Sequence, residues 1–529
     1  MVAMIDAPTL KSMLSDGREI ALLDVREAGQ FGEGHLFFAV PLPYSRFELS
    51  LRALVPNAGV RLVICDAGDG VAQRAAARAA ALGYDDVALL AGGVDAWQAA
   101  GYTLYAGVNV PSKTFGELVE LQRHTPHLSA QELAAMREAK ANFVIVDGRP
   151  FSEYRKMNIP GGICCPNGEL ALQIHAIAPD PNTTIVVNCA GRTRSIIGAQ
   201  LLIDFGVPNP VYALENGTQG WFLAGFELEH GADRRHGAAA AAADLAGLSA
   251  RARAQAEQKG VPFVSAAEAR RWLGERDRTT YLLDVRSPEE FAARALAGFA
   301  SAPGGQLIQA TDQWVGVKGA RLLLLDAEGV RAPVVAGWLR QMGHHACVID
   351  GGTHAAAAHD WLRQEPAPPL GPELDVLSAR QAAVALARGD LAIIDLRASL
   401  GYRQGHIAGA VWSIRPRLAT ACPPPGKSVL LVADAPALAR LAAIDLAAAG
   451  TGDVRLLSEG PAAWAQAGLP IVATPEEPTD QARIDFLFFT AKRHEGTQEA
   501  AAAARQYLAW EIGLIEQLDA QERGAFAIA

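Results

Sequence analysis

Cysteine is scarce in this sequence. The 529 residues include six cysteines, which are too few and too scattered for a disulfide framework, so we expect reduced thiols in a cytoplasmic protein. No Cys-x-x-Cys pair or His-x-His cluster has the spacing of metal ligands, and the adjacent pair Cys164–Cys165 suits no common metal site. The sequence therefore predicts neither a bound metal nor another cofactor.

Long apolar segments and an excess of basic residues are also missing. No apolar run approaches the roughly 18 residues of a membrane-spanning helix, and the N-terminus lacks the apolar stretch of a signal peptide. The formal net charge of −10 argues against general binding to nucleic acid or to anionic membranes. Any attraction for an anionic ligand must therefore come from a local group of residues.

What the sequence contains instead is one pattern repeated four times. In each repeat a buried strand ends in Asp-x-Arg, and a second apolar strand then ends in a loop. Between 38 and 42 residues separate each aspartate (24, 147, 284 and 395) from the first loop residue (65, 189, 326 and 433). A helix, a third strand and a glycine-containing turn follow. The four Asp-x-Arg segments are Leu22–Arg26, Ile145–Arg149, Leu282–Arg286 and Ile393–Arg397.

Each repeat alternates strands and helices, which predicts a parallel sheet with helices on both faces and ligands at the carboxyl ends of the strands. We therefore predict an α/β protein of four tandem units. Their residues are 1–106 (unit one), 117–230 (unit two), 260–364 (unit three) and 373–474 (unit four). Residues 475–529 do not repeat and predict a helical extension. Its amphipathic helix, Gln498–Asp519, must pack on the other units or, second, across a homodimer interface.

The loop Cys189–Arg194 of unit two has the features of an anion-binding site. It follows the apolar strand Thr184–Val187 and precedes a helix predicted from Ser195 onward. Backbone N–H groups that converge before a helix N-terminus bind anions and lower the pKa of a thiol. We predict Cys189 as the nucleophile. The residues predicted to bind substrate are Ala190, Gly191, Arg192, Thr193 and Arg194.

The other three loops lack this combination. In unit one we assign Cys65 to the corresponding place, where Asp66 and Asp69 oppose a thiolate and Gly70 replaces the arginine. Unit three has Asp326 in place of the cysteine, and we expect Arg331 to pair with Asp326 or Glu328. Unit four has Ala433 and Leu438 at the two places. Only unit two is therefore predicted to be catalytic.

These motifs together resemble the rhodanese domain, and the array resembles multi-domain rhodanese-type sulfurtransferases. The motifs are Asp24–Glu27 with Gly34–Leu36, Asp395–Arg397 with Gly405–Val411, the turn Gly92–Trp97 and the loop Cys189–Arg194. The resemblance implies that Cys189 takes a sulfane sulfur from thiosulfate or a similar small anionic donor. The resulting persulfide would pass the sulfur to a thiophilic acceptor: cyanide, a thiol or a protein thiol.

Residues near the loop have several interpretations. Asp147 and Arg149 are expected to form an internal ion pair, and Glu153 either contacts a loop arginine or is a helix N-terminal acid. Cys164 and Cys165 could resolve a persulfide, although packing is the better interpretation. The run Glu169–Ala171 is expected to line the pocket.

Two alternative functions stay open at this point. One is a persulfide carrier or scaffold for partner proteins, which would hold the sulfur without catalytic turnover. The other is an enzyme like a cysteine phosphatase or arsenate reductase, whose loop has five residues between Cys and Arg, whereas four residues separate Cys189 and Arg194. The shorter loop favours a sulfur atom over a tetrahedral phosphate.

Overall fold

Four mainly parallel sheets, one in each predicted unit, organise the protein. The computed structural model describes residues 2–237, 242–362, 371–423, 427–491 and 498–528. The predicted limit of unit three at 364 and residues 492–497 of the predicted extension lie outside these ranges. Within them the predicted α/β class with four tandem units is confirmed.

The strands of each unit follow one spatial order. In unit two it is β6-β10-β9-β7-β8, all parallel, and unit four has the same order, β17-β22-β21-β18-β20. The strands are β1 (Ala3–Ile5), β2 (Ile20–Asp24), β3 (Val40–Pro41), β4 (Arg61–Cys65), β5 (Val87–Leu90), β6 (His127–Leu128), β7 (Phe143–Asp147), β8 (Ile163–Cys164), β9 (Thr184–Asn188), β10 (Val211–Leu214), β11 (Phe263–Val264), β12 (Thr280–Asp284), β13 (Ala300–Ser301), β14 (Val317–Lys318), β15 (Arg321–Leu325), β16 (His345–Ile349), β17 (Asp375–Leu377), β18 (Leu391–Asp395), β19 (His406–Ile407), β20 (Val411–Trp412), β21 (Ser428–Val432), β22 (Val454–Leu457) and β23 (Ile471–Val472).

Helices cover the faces of the sheets and connect the units. The helices are α1 (Ala7–Met13), α2 (Ala28–Glu33), α3 (Phe47–Leu54), α4 (Val71–Ala81), α5 (Gly93–Ala99), α6 (Val110–Arg123), α7 (Ala130–Glu138), α8 (Phe151–Lys156), α9 (Leu170–Ile177), α10 (Thr193–Phe205), α11 (Gly217–Leu223), α12 (Ala242–Gln258), α13 (Ala266–Trp272), α14 (Pro288–Ala293), α15 (Gly304–Gln309), α16 (Arg331–Gln341), α17 (Gly352–Ala356), α18 (Ala379–Ala387), α19 (Ser399–Gln404), α20 (Leu418–Ala421), α21 (Pro436–Ala448), α22 (Pro461–Gln466), α23 (Phe488–Ala491), α24 (Gln498–Ile512), α25 (Leu514–Gln517) and α26 (Ala520–Arg523). Short 3-10 turns include Asn167–Glu169 in unit two.

A buried ion pair closes the first central strand of every unit. In unit two the Arg149 guanidinium donates to both oxygens of Asp147, over 2.9 and 2.6 Å, and to the carbonyl of Met157 over 2.7 Å. The predicted internal pair is thus confirmed. Because a buried arginine needs a carboxylate partner, the motif fixes the strand end next to the loop. The other three pairs are Arg26–Asp24, Arg286–Asp284 and Arg397–Asp395.

Units one to three share a core, whereas unit four has clusters of its own. The largest apolar cluster includes Leu23, Val146 and Leu283, one from each of the first three units. Unit three also lends β14 to the edge of the unit one sheet as an antiparallel strand. Unit four packs around Trp464 on one face of its sheet and Leu431 on the other.

Units two and three face each other with related contacts. Arg331 of unit three pairs with Glu290 of its own unit and with Glu169 of unit two, over 2.9 and 3.1 Å. Glu290 and Glu169 lie 6 and 22 residues after the Asp of their motifs, at 284 and 147. Arg194 of unit two contacts the residues at the same two offsets, as the site geometry below shows. The two units therefore meet about an approximate two-fold axis.

Units one and four meet through a second buried ion cluster. The fully buried Arg415 guanidinium lies 2.7 Å from Glu48 of unit one and 2.7 Å from Asp445 of unit four. Tyr44 donates its hydroxyl to Asp445 over 2.7 Å and accepts from Arg415 through its carbonyl. One arginine thus neutralises carboxylates from both units.

The C-terminal segment packs within the chain. Leu514 and Leu518 join Leu118 of α6 in one apolar cluster. The Tyr105 hydroxyl donates to Glu522, which also accepts from Lys11 over 3.2 Å. These contacts tie the extension to unit one and to α6.

Removal of the Arg415 charge tests the contact between units one and four. We expect Arg415→Met to lower the free energy of unfolding by about 3 kcal/mol, because Asp445 stays buried without this cation and Glu48 keeps only its pair with Arg78, at 3.1 Å. Denaturant unfolding followed by fluorescence measures the loss, and the exposed Arg380, changed to Met, is the matched control. A loss equal to that of the control would contradict this role.

The ion cluster between units two and three predicts a pH dependence of stability. Burial opposes ionisation of Glu290, but hydrogen bonds from Arg331 outweigh it and lower the pKa of Glu290 to about 2. The carboxylate therefore stabilises the fold above its unfolded pKa of about 4.3, and this stabilisation is lost as the pH falls towards 2.

We expect Glu290→Gln to cost about 1 kcal/mol or less at neutral pH, since the Glu290 side chain is 39% exposed and therefore partly screened. The difference in melting temperature between Glu290→Gln and the wild type should become smaller as the pH falls from about 5 to about 3. Glu289→Gln, at a side chain 67% exposed, is the control. If this difference in melting temperature stayed constant over the pH range, the stabilising role of the Glu290 carboxylate would be refuted.

Candidate functional site

The predicted nucleophile lies at the carboxyl end of a central strand. Cys189 directly follows β9 and is buried, 2% exposed. The helix α10 begins at Thr193, two residues before the predicted start. The side-chain amide of Asn188, the last strand residue, donates to Asp147 over 3.1 Å. The ion pair that closes β7 therefore also positions the residue before Cys189.

A glycine turn holds the loop from the other side. The Thr218 N–H donates to the Cys189 carbonyl over 2.8 Å, and Gln219 donates to the Ala190 carbonyl through its backbone and its side chain. Gly217 has φ of +55°, and a Cβ there would lie 2.3 Å from the Cys189 carbonyl oxygen. Only glycine allows this approach without displacing the loop.

The same contact aligns the loops of units one, two and three and corrects one prediction. Gly93 of unit one lies against the carbonyl of Asp66, and Gly352 of unit three lies against that of Asp326, as Gly217 lies against that of Cys189. Asp66, and not Cys65, is therefore the unit one counterpart of Cys189. The assignment of Cys65 to this place is wrong by one residue.

Strand register confirms the shift. Cys65 pairs with Asp24 in the sheet as Asn188 pairs with Asp147. Val71, five residues after Asp66, then occupies the arginine place that was assigned to Gly70. Burial raises the pKa of Cys65 well above that of an ordinary thiol, and the nearby Asp24 carboxylate adds to the effect. Cys65 is thus a protonated core residue.

The loops of units one and three bind carboxylates of their own. The Asp326 carboxylate accepts from the N–H groups of Gly329, Val330 and Arg331 over 3.1, 2.8 and 2.7 Å. In unit one, Asp66 accepts from Gly68 and Ala72 over 2.8 and 2.9 Å. The turn is therefore an anion cradle, and in unit two Cys189 stands at the position of the anion. The expected pair of Arg331 with Glu328 is present at 2.6 Å, whereas Asp326 contacts its backbone.

The guanidinium of Arg192, one of the predicted substrate-binding residues, lies in a buried ion cluster. Arg192 is 9% exposed, and its guanidinium donates to Glu117 over 2.8 and 2.9 Å and to Glu120. Burial raises the pKa of Glu117 to about 7, although Arg192 acts in the opposite direction. Both carboxylates come from α6. Residue spacing within the repeats does not predict this pairing, because it depends on how α6 packs against the loop.

Arg194 is held between units two and three. It donates to both Glu153 oxygens over 2.9 and 2.8 Å, and to the Gln306 side chain of unit three over 3.3 Å. Burial opposes its charge, but Glu153 and, less strongly, Cys189 raise the pKa of Arg194, so the guanidinium stays protonated. Glu153 therefore contacts a loop arginine and also lies in the first turn of α8.

A pocket of about 270 Å³ lies over the loop. All the predicted site residues, 189–194, line it, together with residues from three other parts of the chain. These are Asn109 and Lys113 of the connection after unit one, Gln306, Gln309 and Gln313 of unit three, and Tyr507 and Glu511 of the C-terminal helix α24. Residue spacing within one repeat could not reveal these additional walls.

The buried Lys113 connects two of these walls. Its ammonium hydrogen-bonds to the Tyr507 hydroxyl and lies 3.5 Å from Glu511. Glu511 in turn accepts from the Thr193 hydroxyl of the loop over 2.7 Å. The C-terminal helix is therefore bonded directly to the loop.

Other residues considered from the sequence lie elsewhere. Glu169 pairs with Arg331 and is not part of the pocket wall, so the expectation for the run Glu169–Ala171 is wrong. Burial raises the pKa of Cys164 to about 12, and it raises that of Cys165 well above the ordinary value. Cys165 belongs to the shared apolar core.

The described residues contain neither a membrane-spanning helix nor a cluster of metal ligands. No helix in these ranges has both the length and the hydropathy needed to cross a membrane. Likewise, no three His, Cys, Asp or Glu side chains among them are grouped so that they could hold a metal ion.

Two known proteins are similar to this chain. The crystal structure of a thiosulfate sulfurtransferase from Pseudomonas aeruginosa is 44% identical, with a TM-score of 0.90, over 100% of this chain and 99% of that one. The HTH-type transcriptional regulator Rv0324 from Mycobacterium tuberculosis (strain ATCC 25618 / H37Rv) is 33% identical over 110 residues, 21% of this chain. The match spans about half (47%) of that regulator's length.

The family model for the rhodanese-like domain matches residues 6–100, 129–224 and 265–359. These ranges fall in units one, two and three, and unit four has the strand order of unit two. The chain therefore belongs to the rhodanese family.

Proposed function

We propose that the protein is a sulfurtransferase that carries sulfane sulfur from thiosulfate or a similar donor on Cys189. One observation carries the proposal: the turn that binds the Asp326 carboxylate in unit three has a cysteine at the same position in unit two. A cradle that binds a protein anion in one unit can bind a sulfur anion in the other. The similarity to the Pseudomonas aeruginosa thiosulfate sulfurtransferase supports thiosulfate as the donor.

The first step loads the enzyme. The Cys189 thiolate attacks the outer sulfur of thiosulfate and forms a new S–S bond. The S–S bond of thiosulfate breaks, and its electron pair leaves with sulfite. Cys189 then carries a persulfide, whose negative charge the backbone N–H groups of Arg192, Thr193 and Arg194 stabilise.

The second step discharges the persulfide. Cyanide or a thiolate attacks the terminal sulfur, and the electron pair of the Cys189 S–S bond returns to Cys189 as the thiolate. Double displacement of this kind predicts ping-pong kinetics.

Neighbouring charges have a positioning role. Arg192 pairs with the carboxylates of Glu117 and Glu120, and Arg194 pairs with that of Glu153. Their net contribution to the local field is therefore small, and the backbone donors supply most of the anion binding. Arg194, braced by Glu153 and Gln306, fixes the first turn of α10 where these donors lie.

Mass spectrometry after thiosulfate treatment tests the proposal. We expect the wild-type protein to gain the mass of one sulfur atom on the peptide that contains Cys189, and Cys189→Ser to gain none. Cys65→Ser is the matched control, since this thiol is buried and protonated, and it should load like the wild type. Adding cyanide should remove the mass and release thiocyanate.

Other outcomes would favour other functions. A sulfur label on Cys65 would overturn the proposal. Loading of Cys189 with discharge to a single protein but not to cyanide would indicate a carrier. Hydrolysis of an aryl phosphate by Cys189 faster than sulfur transfer would indicate phosphatase chemistry.

A further inference from the structure

Three side-chain oxygen atoms of residues that line the Cys189 pocket have no hydrogen-bond donor. They are Oε1 of Gln219, Oε1 of Gln309 and Oε2 of Glu511, and none has a partner among the described residues. The three residues are buried, between 1% and 8% exposed. They come from the unit two turn, from unit three and from the C-terminal helix.

Such groups are costly unless a ligand satisfies them. A buried acceptor without a donor costs about 1–3 kcal/mol, and a carboxylate costs more. Among the unpaired buried side-chain atoms of the described residues, these three belong to residues that line one pocket, and we interpret them as ligand contacts. Each of these atoms is an acceptor in its present orientation, and the ligand must therefore present N–H or O–H donors.

The charges around the pocket favour a nitrogen cation over an anion at this wall. Lys113, Arg192 and Arg194 each have a carboxylate partner, and the partners together are four: Glu117, Glu120, Glu153 and Glu511. The cations are therefore already balanced. Glu511 uses Oε1 for Lys113 and Thr193 and keeps Oε2 next to Gly191 of the loop, where a Cβ would lie 3.0 Å from that oxygen.

We propose, building on the proposed function, that the sulfur acceptor is a small molecule in which a thiol accompanies a cationic, N–H-bearing group. Glu511, Gln219 and Gln309 bind that group, while the thiolate faces the persulfide on Cys189. The acceptor thiolate forms a bond to the terminal sulfur, and the electron pair of the Cys189 S–S bond returns to Cys189. The products are the acceptor persulfide and the Cys189 thiolate.

The pocket thus has two ends of different chemistry. The N–H cradle binds the sulfur anion, and the oxygen wall binds the nitrogen group of the acceptor. An anionic thiol would place a second negative charge against Glu511, so the protein should discriminate against it.

Discharge of the loaded enzyme to three matched thiols tests the proposal. The enzyme is loaded with thiosulfate, the Cys189 persulfide is verified by mass spectrometry, and discharge to cysteamine, 2-mercaptoethanol and 2-mercaptoethanesulfonate is timed. Rates are divided by the thiolate concentration, because the thiols differ in pKa. We expect cysteamine to exceed 2-mercaptoethanesulfonate by about tenfold or more, as a charged hydrogen bond predicts.

Glu511→Gln should lower the ratio of the cysteamine rate to the 2-mercaptoethanesulfonate rate about tenfold, since the substitution keeps the shape of the side chain but removes its charge. Gln309→Met, which removes a neutral acceptor, should lower it about threefold. Glu516→Gln, an exposed acid of the neighbouring helix α25, should leave the ratio as in the wild type.

Equal rates for the cationic and anionic thiols in the wild type would overturn the proposal, and so would a ratio that Glu511→Gln does not change. Either result would leave the persulfide chemistry intact. Absence of the Cys189 persulfide after loading would instead refute the proposed function itself. The wild-type comparison needs no variant and decides the matter even if Glu511→Gln does not fold.

Discussion

Converging backbone N–H groups need an acceptor, and this requirement organises the molecule. Every unit closes its first central strand with the same Asp-x-Arg pair, which places the following turn beside the sheet. In units one and three the turn is satisfied by Asp66 and Asp326 from its own first position. In unit two that position is Cys189, whose side chain in the thiol form supplies no comparable charge. The same local geometry therefore holds a carboxylate in two units and a cysteine in a third.

Unit three and the C-terminal helix shape the pocket over the Cys189 loop. Unit three supplies Gln306, Gln309 and Gln313, and the C-terminal helix supplies Tyr507 and Glu511. Units one and four are joined through Arg415, and units two and three through Arg331. These contacts are made by charged groups buried between units, so each unit is fixed by its neighbour. The result is one composite site assembled from distant parts of the chain.

The fold was predictable because its signals are local and repeated. Apolar strands, Asp-x-Arg endings and glycine turns recur at regular spacing, which led to four parallel sheets. The Cys189 loop was found in the same way. The sequence pattern misplaces the unit one loop by one residue, because Cys65 resembles the loop cysteine. Only the strand register, which pairs Cys65 with Asp24, shows that Asp66 is the counterpart of Cys189. Glu117 and Glu511 could not be foreseen, because only the folding of α6 and α24 onto the loop brings them there.

The approximate two-fold relation between units two and three has a consequence for how this chain can change. Gln306 contacts Arg194, and the residue at the same offset in unit two, Glu169, contacts Arg331. One chain thus contains the equivalent of an asymmetric dimer, in which one unit carries the Cys189 loop and the other supplies part of the pocket wall. A substitution in unit three can therefore change the wall of the Cys189 pocket without altering a residue of unit two.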